Sequence, residues 1–299
     1  MKTRIQGSLV AIVTPMTERG EIDLKTFESL LDWHIQSGTN AIVVVGTTGE
    51  SATLSPREHC GLVSHCVAHV NKRVPVVAGT GSNNTNEALE FTEDAAKSGA
   101  DAALLVAPYY TRPSQEGLYQ HFKLIAESVE IPQILYNVPG RTACDISFET
   151  IERLTEFENI VGIKDATGKL ETGLRLVQSF SARLAVYSGE DRLSRELILA
   201  GADGSISVTA NVAPSLMTRM CAAALNGDQA EAERLDRALE NLHETLFLEG
   251  NPVPVKWALS QMGKAGSSLR LPLVELNSRY RVRVGNALAA AGIEIKTAG

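Results

Sequence analysis

The sequence predicts an α/β fold, a (β/α)8 TIM barrel with a C-terminal helical extension. Short apolar runs recur along the chain with amphipathic helical patterns between them, and polar loops follow nearly every run at the same end. The 299 residues also suit a barrel of roughly 250 residues with further helices. An open doubly wound sheet is the alternative that this pattern leaves open.

The strand candidates are eight apolar runs rich in Val, Ile, Leu and Ala. Most are nearly continuous rather than alternating, which is typical of strands buried on both faces of a parallel sheet. In chain order they span residues 8–13, 41–45, 74–78, 102–107, 132–136, 160–164, 184–188 and 204–208.

The helix candidates place apolar residues at helical spacing between these runs. Several end at a glycine just before the next strand, as in QSGTNAI and KSGADAA, and glycine accommodates a left-handed C-cap. The barrel helices are predicted over 24–36, 56–70, 86–98, 116–129, 147–154, 170–180, 192–199 and 214–226.

The remainder of the chain predicts helix only, over 229–248, 254–264 and 273–291. The helix that ends near residue 226 completes the eighth βα unit. We therefore expect a catalytic barrel over 1–226 and a C-terminal helical domain over 227–299.

The composition is that of a globular chain, with 44% hydrophobic residues and a formal net charge of −7. The acidic balance disfavours nucleic acid as a partner. The N-terminus lacks the long apolar core of a signal peptide, and no window approaches the about 18 apolar residues of a membrane span. The cysteines Cys60, Cys66, Cys144 and Cys221 form no CxxC pair, which predicts buried thiols and a cytoplasmic location.

Polar and glycine-rich loops follow the predicted strands at their carboxyl ends. They read GTTGES, GTGSNN, PYYTRPS, YNVPGRT, KDATG, SGE and TANV after strands two to eight. Since the carboxyl ends of barrel strands meet at one face, where barrel enzymes carry their chemistry, we expect the active site among these loops.

Lys164 is the most informative residue, because it ends the apolar run 160–163 on a buried strand. Loss of hydration there disfavours the ammonium form, and a neutral amine can attack a ketone to form an imine. Tyr136 ends the neighbouring strand and could move protons for that reaction. The structural alternatives are a lysine that reaches past the strand end to water and a core aromatic.

Three further segments offer polar groups at the same face. The hydroxyls of Thr47 and Thr48, with backbone N–H groups around them, suit a carboxylate, although a capped turn has the same composition. Arg141 could bind a second carboxylate in bidentate fashion or lie on the surface. Tyr109 and Tyr110 are adjacent on extended backbone, so their side chains should point in opposite directions.

Other motifs were weighed and give weaker signals. His65 and His69 have the i, i+4 spacing of a metal pair, but no HExxH motif or third ligand accompanies them, so no metal site is expected. The segment GTGSNN lacks the lysine of a P-loop. GESA does not match a serine nucleophile elbow.

Taken together, the motifs resemble the dihydrodipicolinate synthase family of pyruvate-dependent class I aldolases, in the superfamily that includes N-acetylneuraminate lyase. GTTGESATL, PYYTRPSQEGLYQHF, QILYNVPGRT, IVGIKDATG and ISVTANVAP carry the resemblance. It runs from about Gly7 into the C-terminal helices and is least specific after about Lys264.

This resemblance implies a lyase that condenses pyruvate with L-aspartate-4-semialdehyde to 4-hydroxy-tetrahydrodipicolinate, in diaminopimelate and lysine biosynthesis. It implies a covalent Schiff base with no metal or organic cofactor. It also implies a homotetramer built as a dimer of dimers.

The resemblance assigns catalytic roles to four residues. Lys164 would form the Schiff base with pyruvate, and Tyr136 would shuttle protons. Thr47 and Tyr110 would complete a relay with Tyr136, and Tyr110 would reach in from a partner subunit.

Substrate-binding positions are implied in the same way. Thr48 would hold the pyruvate carboxylate, helped by backbone groups at Gly189 and Ile206. Arg141 would bind the carboxylate of the second substrate. Asp165 stands where the family motif more often has Glu, and we expect little consequence for the Schiff base.

Many members of the family are inhibited by lysine at a dimer interface, so L-lysine is a further expected ligand. Glu87 could pair with the ammonium group of that inhibitor, while Pro56 stands where some sensitive members carry a histidine. The matching positions are Ser51, Ala52, Leu54, His59, Asn83, Glu87 and Tyr109.

Three other functions remain open on the sequence. A sister aldolase that cleaves a sialic acid or a 2-keto-3-deoxy sugar acid shares Lys164 and Tyr136, although Arg141 and the tyrosine pair favour the synthase. A metal-dependent or phosphate-binding barrel enzyme and a catalytically inactive barrel are the others.

Overall fold

The computed structural model describes residues 4–295, and a closed barrel of eight parallel strands lies at its centre. Each strand pairs with the next one in the chain, and the last pairs with the first. This closure confirms the predicted TIM barrel and excludes the open sheet. The strands are β1 (Gly7–Ala11), β2 (Ala41–Val44), β3 (Val76–Gly79), β4 (Ala102–Val106), β5 (Gln133–Asn137), β6 (Ile160–Asp165), β7 (Ala185–Ser188) and β8 (Gly204–Ser207).

Helices follow every strand and surround the barrel. Several begin at a serine whose hydroxyl accepts a backbone N–H of the first turn, as Ser55, Ser114 and Ser147 do. The helices are α1 (Leu24–Gln36), α2 (Pro56–Val70), α3 (Thr85–Ser98), α4 (Gln115–Ser128), α5 (Pro139–Thr142), α6 (Phe148–Leu154), α7 (Leu170–Phe180), α8 (Ser194–Leu199), α9 (Pro214–Leu225), α10 (Gln229–Thr245), α11 (Val253–Gln261) and α12 (Ser278–Ala290).

The predicted strands and barrel helices agree with the structure to within two residues at each end, but the start of the last helix was predicted wrongly. It begins at Ser278, not at residue 273, because the side chain of Asn277 caps it by accepting the N–H of Arg279. Leu276, just before this cap, is buried and fixes the entering chain. The one-turn helix α5 was not predicted, because four residues are too few to show a helical period.

Two apolar layers result from the alternation of strand side chains. One set packs against the surrounding helices, and the other fills the barrel interior. Burying one large apolar side chain in either layer stabilises the fold by about 1.5–3 kcal/mol. The interior set comprises Leu9, Ala11, Ala41, Val43, Val77, Ala102, Leu104, Ile134, Tyr136, Val138, Ala166, Ala185, Tyr187 and Ile206.

The first C-terminal helix packs against the last barrel helix, and the later ones pack on the C-terminal helices themselves. Helix α10 lies on α9 after a turn at Gly227, whose φ of +73° is a left-handed conformation that glycine adopts readily. Helix α12 packs on α10. The proposed division after residue 226 stays a prediction, and its outer ends, residues 1–3 and 296–299, lie outside the described part.

Two expectations about the rest of the chain can be compared with the structure. Over residues 4–295, no helix is long and apolar enough to cross a membrane. The four cysteines are free thiols; Cys66 and Cys221 are buried as expected, whereas Cys60 and Cys144 are partly exposed.

Candidate active site

Lys164 and Tyr136 meet inside the carboxyl end of the barrel. They are partners in the parallel register of β5 and β6, so both side chains point to the interior. Lys164 is 6% exposed, and its Nζ lies 4.2 Å from the centroid of the Tyr136 ring. An amine held against an aromatic face at this depth has little access to bulk water.

Gly189, just after β7, makes room for the lysine side chain. A Cβ atom at this position would lie 2.8 Å from Cε of Lys164 and 2.8 Å from Cβ of Ala166. The N–H of Gly189 donates to the carbonyl of Asp165 at 2.7 Å, which holds this segment close to β6. Ile206 on β8 is fully buried in the barrel interior, among the residues of the inner layer.

Two acidic side chains, Asp165 and Glu190, stand at the carboxyl ends of β6 and β7. Burial raises the pKa of Asp165 to about 6, although the Thr167 hydroxyl donates to its carboxylate at 3.0 Å. Burial also raises the pKa of Glu190, while the nearby charges of Arg192, Lys164 and Arg141 oppose that shift.

The loop after β2, which carries Thr47 and Thr48, has an unusual backbone. Val45 and Glu50 adopt left-handed φ values of 55° and 58°, which are strained for side chains that bear a Cβ. Gly79 of β3 permits this path, since a Cβ there would lie 2.4 Å from the Val45 carbonyl oxygen. The loop is therefore held in one conformation by its neighbours.

Asn251, in the segment before α11, contacts two of the predicted binding residues. Its Nδ2 donates to Oγ1 of Thr48 at 2.9 Å, and its backbone carbonyl accepts from the guanidinium of Arg141 at 3.4 Å. Thr48 is buried, Thr47 is half-buried and Arg141 is exposed. The sequence had indicated only a helix break near Asn251, so this residue was missed.

A buried ion pair joins the same two segments. Nζ of Lys256 lies 2.6 Å from Oε1 of Glu50, and both side chains are fully buried. Lys256 also donates to the carbonyl of Thr14 at 3.0 Å, and Glu50 accepts the backbone N–H of Arg270 at 3.2 Å. The sequence signal for this pair is a lysine inside the otherwise apolar run of α11.

The two adjacent tyrosines after β4 have different environments. Tyr109 is half-buried, whereas Tyr110 is 88% exposed and has a left-handed φ of 71°. A phenol this exposed does not belong to the buried cluster of Lys164 and Tyr136 in its own chain.

Residues predicted to bind lysine lie just beyond the loop after β2 that carries Thr47 and Thr48, hereafter the threonine loop. His59 is buried and stacks on Phe91 with ring centroids 4.0 Å apart. Burial lowers the pKa of His59 to about 4, and the charge of Glu87 opposes this shift. Glu87 accepts a hydrogen bond from the hydroxyl of Ser82. Ser51 and Ala52 form a short 3-10 turn that directly follows Glu50.

His65 and His69 pair with carboxylates on α1 instead of with each other. His65 contacts Glu28 at 2.9 Å, and His69 contacts Asp32 at 3.0 Å. These pairs join α1 to α2 outside the barrel. Within residues 4–295, no group of three or more His, Cys, Asp or Glu side chains could hold a metal ion.

Comparisons with known proteins identify a matching family. The model of the Dihydrodipicolinate synthetase family matches residues 4–291. A 4-hydroxy-tetrahydrodipicolinate synthase from Marinobacter nauticus is 56% identical over 97% of this chain and 99% of its own length.

Two solved structures have closely similar folds. The chloride-inhibited dihydrodipicolinate synthase from Acinetobacter baumannii, complexed with pyruvate, has a TM-score of 0.96 at 55% identity and covers 97% of this chain and 100% of that chain. A DHDPS from Cyanidioschyzon merolae with lysine bound has a TM-score of 0.93 at 38% identity and covers 98% and 100% of the two chains.

Proposed function

Because the chain belongs to the dihydrodipicolinate synthetase family, we propose that it condenses pyruvate with L-aspartate-4-semialdehyde. The product is 4-hydroxy-tetrahydrodipicolinate, an intermediate of diaminopimelate and lysine biosynthesis, and the enzyme is a class I aldolase-type lyase. The observation that carries this proposal is the buried amine of Lys164, 4.2 Å from the Tyr136 ring centroid at the carboxyl end of the barrel.

The first stage joins pyruvate to the enzyme. The neutral amine of Lys164 attacks the keto carbon of pyruvate, and the carbinolamine loses water to give an iminium ion. Tyr136 moves the protons that this dehydration needs. Thr48, with backbone groups at Gly189 and Ile206, binds the pyruvate carboxylate.

The second stage forms the new carbon–carbon bond. Loss of a methyl proton from the iminium ion gives an enamine, and its carbon attacks the aldehyde of the second substrate. Arg141 binds the carboxylate of that substrate. The substrate's own amine then attacks the imine carbon, which closes the ring and releases Lys164.

The proton relay needs a second subunit in this proposal. Thr47 of the same chain and Tyr110 of the partner subunit would complete the relay with Tyr136. The 88% exposure of Tyr110 in the single chain supports this arrangement. We propose a homotetramer built as a dimer of dimers, located in the cytoplasm and working without a metal or organic cofactor.

We further propose that L-lysine inhibits the enzyme beyond the threonine loop. The proximity of His59 and Glu87, and the lysine-bound relative, support a site for an ammonium group there. Residues proposed to line it are Ser51, Ala52, Leu54, His59, Asn83, Glu87 and Tyr109. Titration of the initial rate with L-lysine tests this proposal, and an unchanged rate would contradict it.

Trapping of the Schiff base tests the central step. Borohydride added with pyruvate should leave a stable adduct that peptide mass spectrometry maps to Lys164. Lys164→Ala should abolish the adduct and lower kcat/KM by at least about 10³-fold with an unchanged circular dichroism spectrum. Lys25→Ala, at an exposed position of α1, is the control and should trap normally. An adduct on another lysine would overturn the assignment.

A substrate assay separates the competing functions. We expect turnover of pyruvate with L-aspartate-4-semialdehyde and none of a sialic acid or a 2-keto-3-deoxy sugar acid, and the reverse result would indicate a sister aldolase. Loss of activity in EDTA would indicate a metal-dependent enzyme. A folded protein that traps no pyruvate would indicate an inactive barrel.

A further inference from the structure

We propose that Asn251 is a positioning residue that directs the hydroxyl proton of Thr48 toward the substrate carboxylate. The inference rests on the proposed function, because that function assigns Thr48 to the carboxylate of pyruvate. It adds a residue from the C-terminal helical segment to a site otherwise formed by barrel loops.

The chemistry of the hydrogen bond sets the direction of this proton. A threonine hydroxyl has one proton to donate, whereas the NH₂ of an amide can only donate. Nδ2 of Asn251 lies 2.9 Å from Oγ1 of Thr48, so the threonine oxygen accepts here. Its own proton is consequently free to point elsewhere, and a bound carboxylate is the acceptor that the proposed function supplies.

Burial makes this arrangement specific. Thr48 is 2% exposed and Asn251 is 6% exposed, so water does not compete freely for either group. Oδ1 of Asn251 is buried and has no hydrogen-bond partner among residues 4–295. Among residues 4–295, the contact with Thr48 is thus the hydrogen bond that holds this buried amide in place.

The backbone carbonyl of Asn251 contacts Arg141, the residue proposed to bind the carboxylate of the second substrate. Its carbonyl accepts from the guanidinium of Arg141 at 3.4 Å. Substitution of the side chain leaves this carbonyl in place. A variant at Asn251 should therefore change the handling of pyruvate much more than that of the aldehyde.

The buried Glu50–Lys256 ion pair helps to hold Asn251 in place beside Thr48. Thr48 and Glu50 belong to the loop after β2, while Asn251 lies just before α11 and Lys256 lies in its first turns. The Glu50–Lys256 contact at 2.6 Å and the Thr48–Asn251 contact at 2.9 Å thus hold the same two segments at two points. Two contacts prevent a rotation that a single contact would allow.

The decisive variant is Asn251→Asp, which keeps the shape of the side chain and reverses its chemistry. A carboxylate can only accept a hydrogen bond, so the Thr48 hydroxyl would donate to it and not to the substrate. Its negative charge would also repel the carboxylate of pyruvate. We expect the pyruvate concentration for half-maximal borohydride trapping to rise by about tenfold or more, since hydrogen bonds to charged groups contribute about 1.5–3 kcal/mol. Asn251→Ala adds no charge beside Arg141, so with that variant the KM for the aldehyde should change by less than about twofold.

A double-mutant cycle tests the connection to Thr48 independently. Asn251→Ala should raise the half-maximal pyruvate concentration by about fivefold, the effect of one neutral hydrogen bond. Thr48→Val should raise it further, and adding Asn251→Ala to Thr48→Val should have little additional effect, because the orienting contact is already gone. This cycle still decides the question if Asn251→Asp does not fold.

The control is Asn286→Asp, which makes the same chemical change on the exposed face of α12 and should leave trapping unchanged. Equal rises in both KM values, or independent effects of Thr48→Val and Asn251→Ala, would overturn the inference and leave Asn251 a structural residue. Failure of the unmodified enzyme to trap pyruvate would instead overturn the proposed function.

Discussion

The amino and carboxyl ends of the barrel differ in the kinds of polar side chain that they hold. At the amino end, the Asp203 carboxylate accepts the N–H of Val186 at 3.0 Å and also a hydrogen bond from Gln6 at 3.3 Å. The hydroxyl of Tyr187 donates to the carbonyl of Ile5 at 2.8 Å. These groups are occupied with the protein itself, so this end is built for stability.

At the carboxyl end, polar groups are buried without full partners. The Oδ1 atoms of Asp165 and Asn251 have no hydrogen-bond partner among residues 4–295, and the Lys164 amine lies against an aromatic ring. A cavity of about 1010 Å³ opens at the amino end, lined among others by Arg4, Asp101 and Tyr187. The buried amine of Lys164 beside the ring of Tyr136, rather than open space, identifies the site.

The largest expected effect comes from breaking the buried ion pair at the carboxyl end. Lys256→Met leaves the carboxylate of Glu50 buried without its cation, which should lower the free energy of unfolding by about 3–5 kcal/mol. Urea denaturation at fixed protein concentration measures it. Adding Glu50→Gln should recover part of the loss, because the uncompensated charge is then removed.

Lys25→Met is the control for this variant, because Lys25 is exposed on α1. Its unfolding free energy should stay within about 0.5 kcal/mol of the parent value. A loss for Lys256→Met no larger than this would show that the carboxyl end does not depend on its buried charges.

The next effect separates activity from stability. In Gly189→Ala the new methyl group would lie 2.8 Å from Cε of Lys164, so the amine must move from its place near Tyr136. We expect kcat/KM to fall by about 100-fold, the effect of a misplaced reacting group. Gly61→Ala on α2 has nothing within 4 Å of its new methyl group and should keep full activity. Equal activity of the two variants would contradict the assigned position of the lysine.

A smaller and more selective effect is expected at Arg141. Its guanidinium is exposed, so Arg141→Ala should leave stability nearly unchanged. Loss of a charge-assisted bond to the second substrate should raise the KM for the aldehyde by about 10-fold or more and the KM for pyruvate much less. Arg19→Ala, in an exposed turn, is the matched control. Equal rises in both KM values would argue against this role.

The smallest effect should appear at the amino end. Tyr187→Phe removes the hydrogen bond to the Ile5 carbonyl and should lower the free energy of unfolding by about 1 kcal/mol. Steady-state kinetics should not change, because this hydroxyl lies at the opposite end from Lys164. Any substantial loss of kcat would mean that the two ends are not functionally separate.

Much of the fold could be predicted because local sequence encodes it. Runs such as 41–45 contain β-branched residues that favour buried strands, and the capping serine Ser55 marks the start of α2. The predicted pair of Lys164 and Tyr136 came together for a related reason. Residues at the ends of consecutive parallel strands become neighbours once those strands pair.

The contributions of the C-terminal segment could not be predicted in this way. Asn251 lies 203 positions from Thr48, and Lys256 lies 206 positions from Glu50. Hydrophobic periodicity describes one element at a time and carries no information about which distant loop a later helix will cover. The lysine in α11 signalled only that some buried anion must be its partner.

These separations also set the order in which the enzyme can be completed. Every barrel strand has been synthesised by residue 207, yet the threonine loop gains its contacts with Asn251, Lys256 and Arg270 only after residue 270 is available. A nascent or truncated chain that already contains Lys164 therefore lacks the finished pocket around it. The proposed reactivity toward keto acids is thereby tied to the presence of nearly the whole polypeptide.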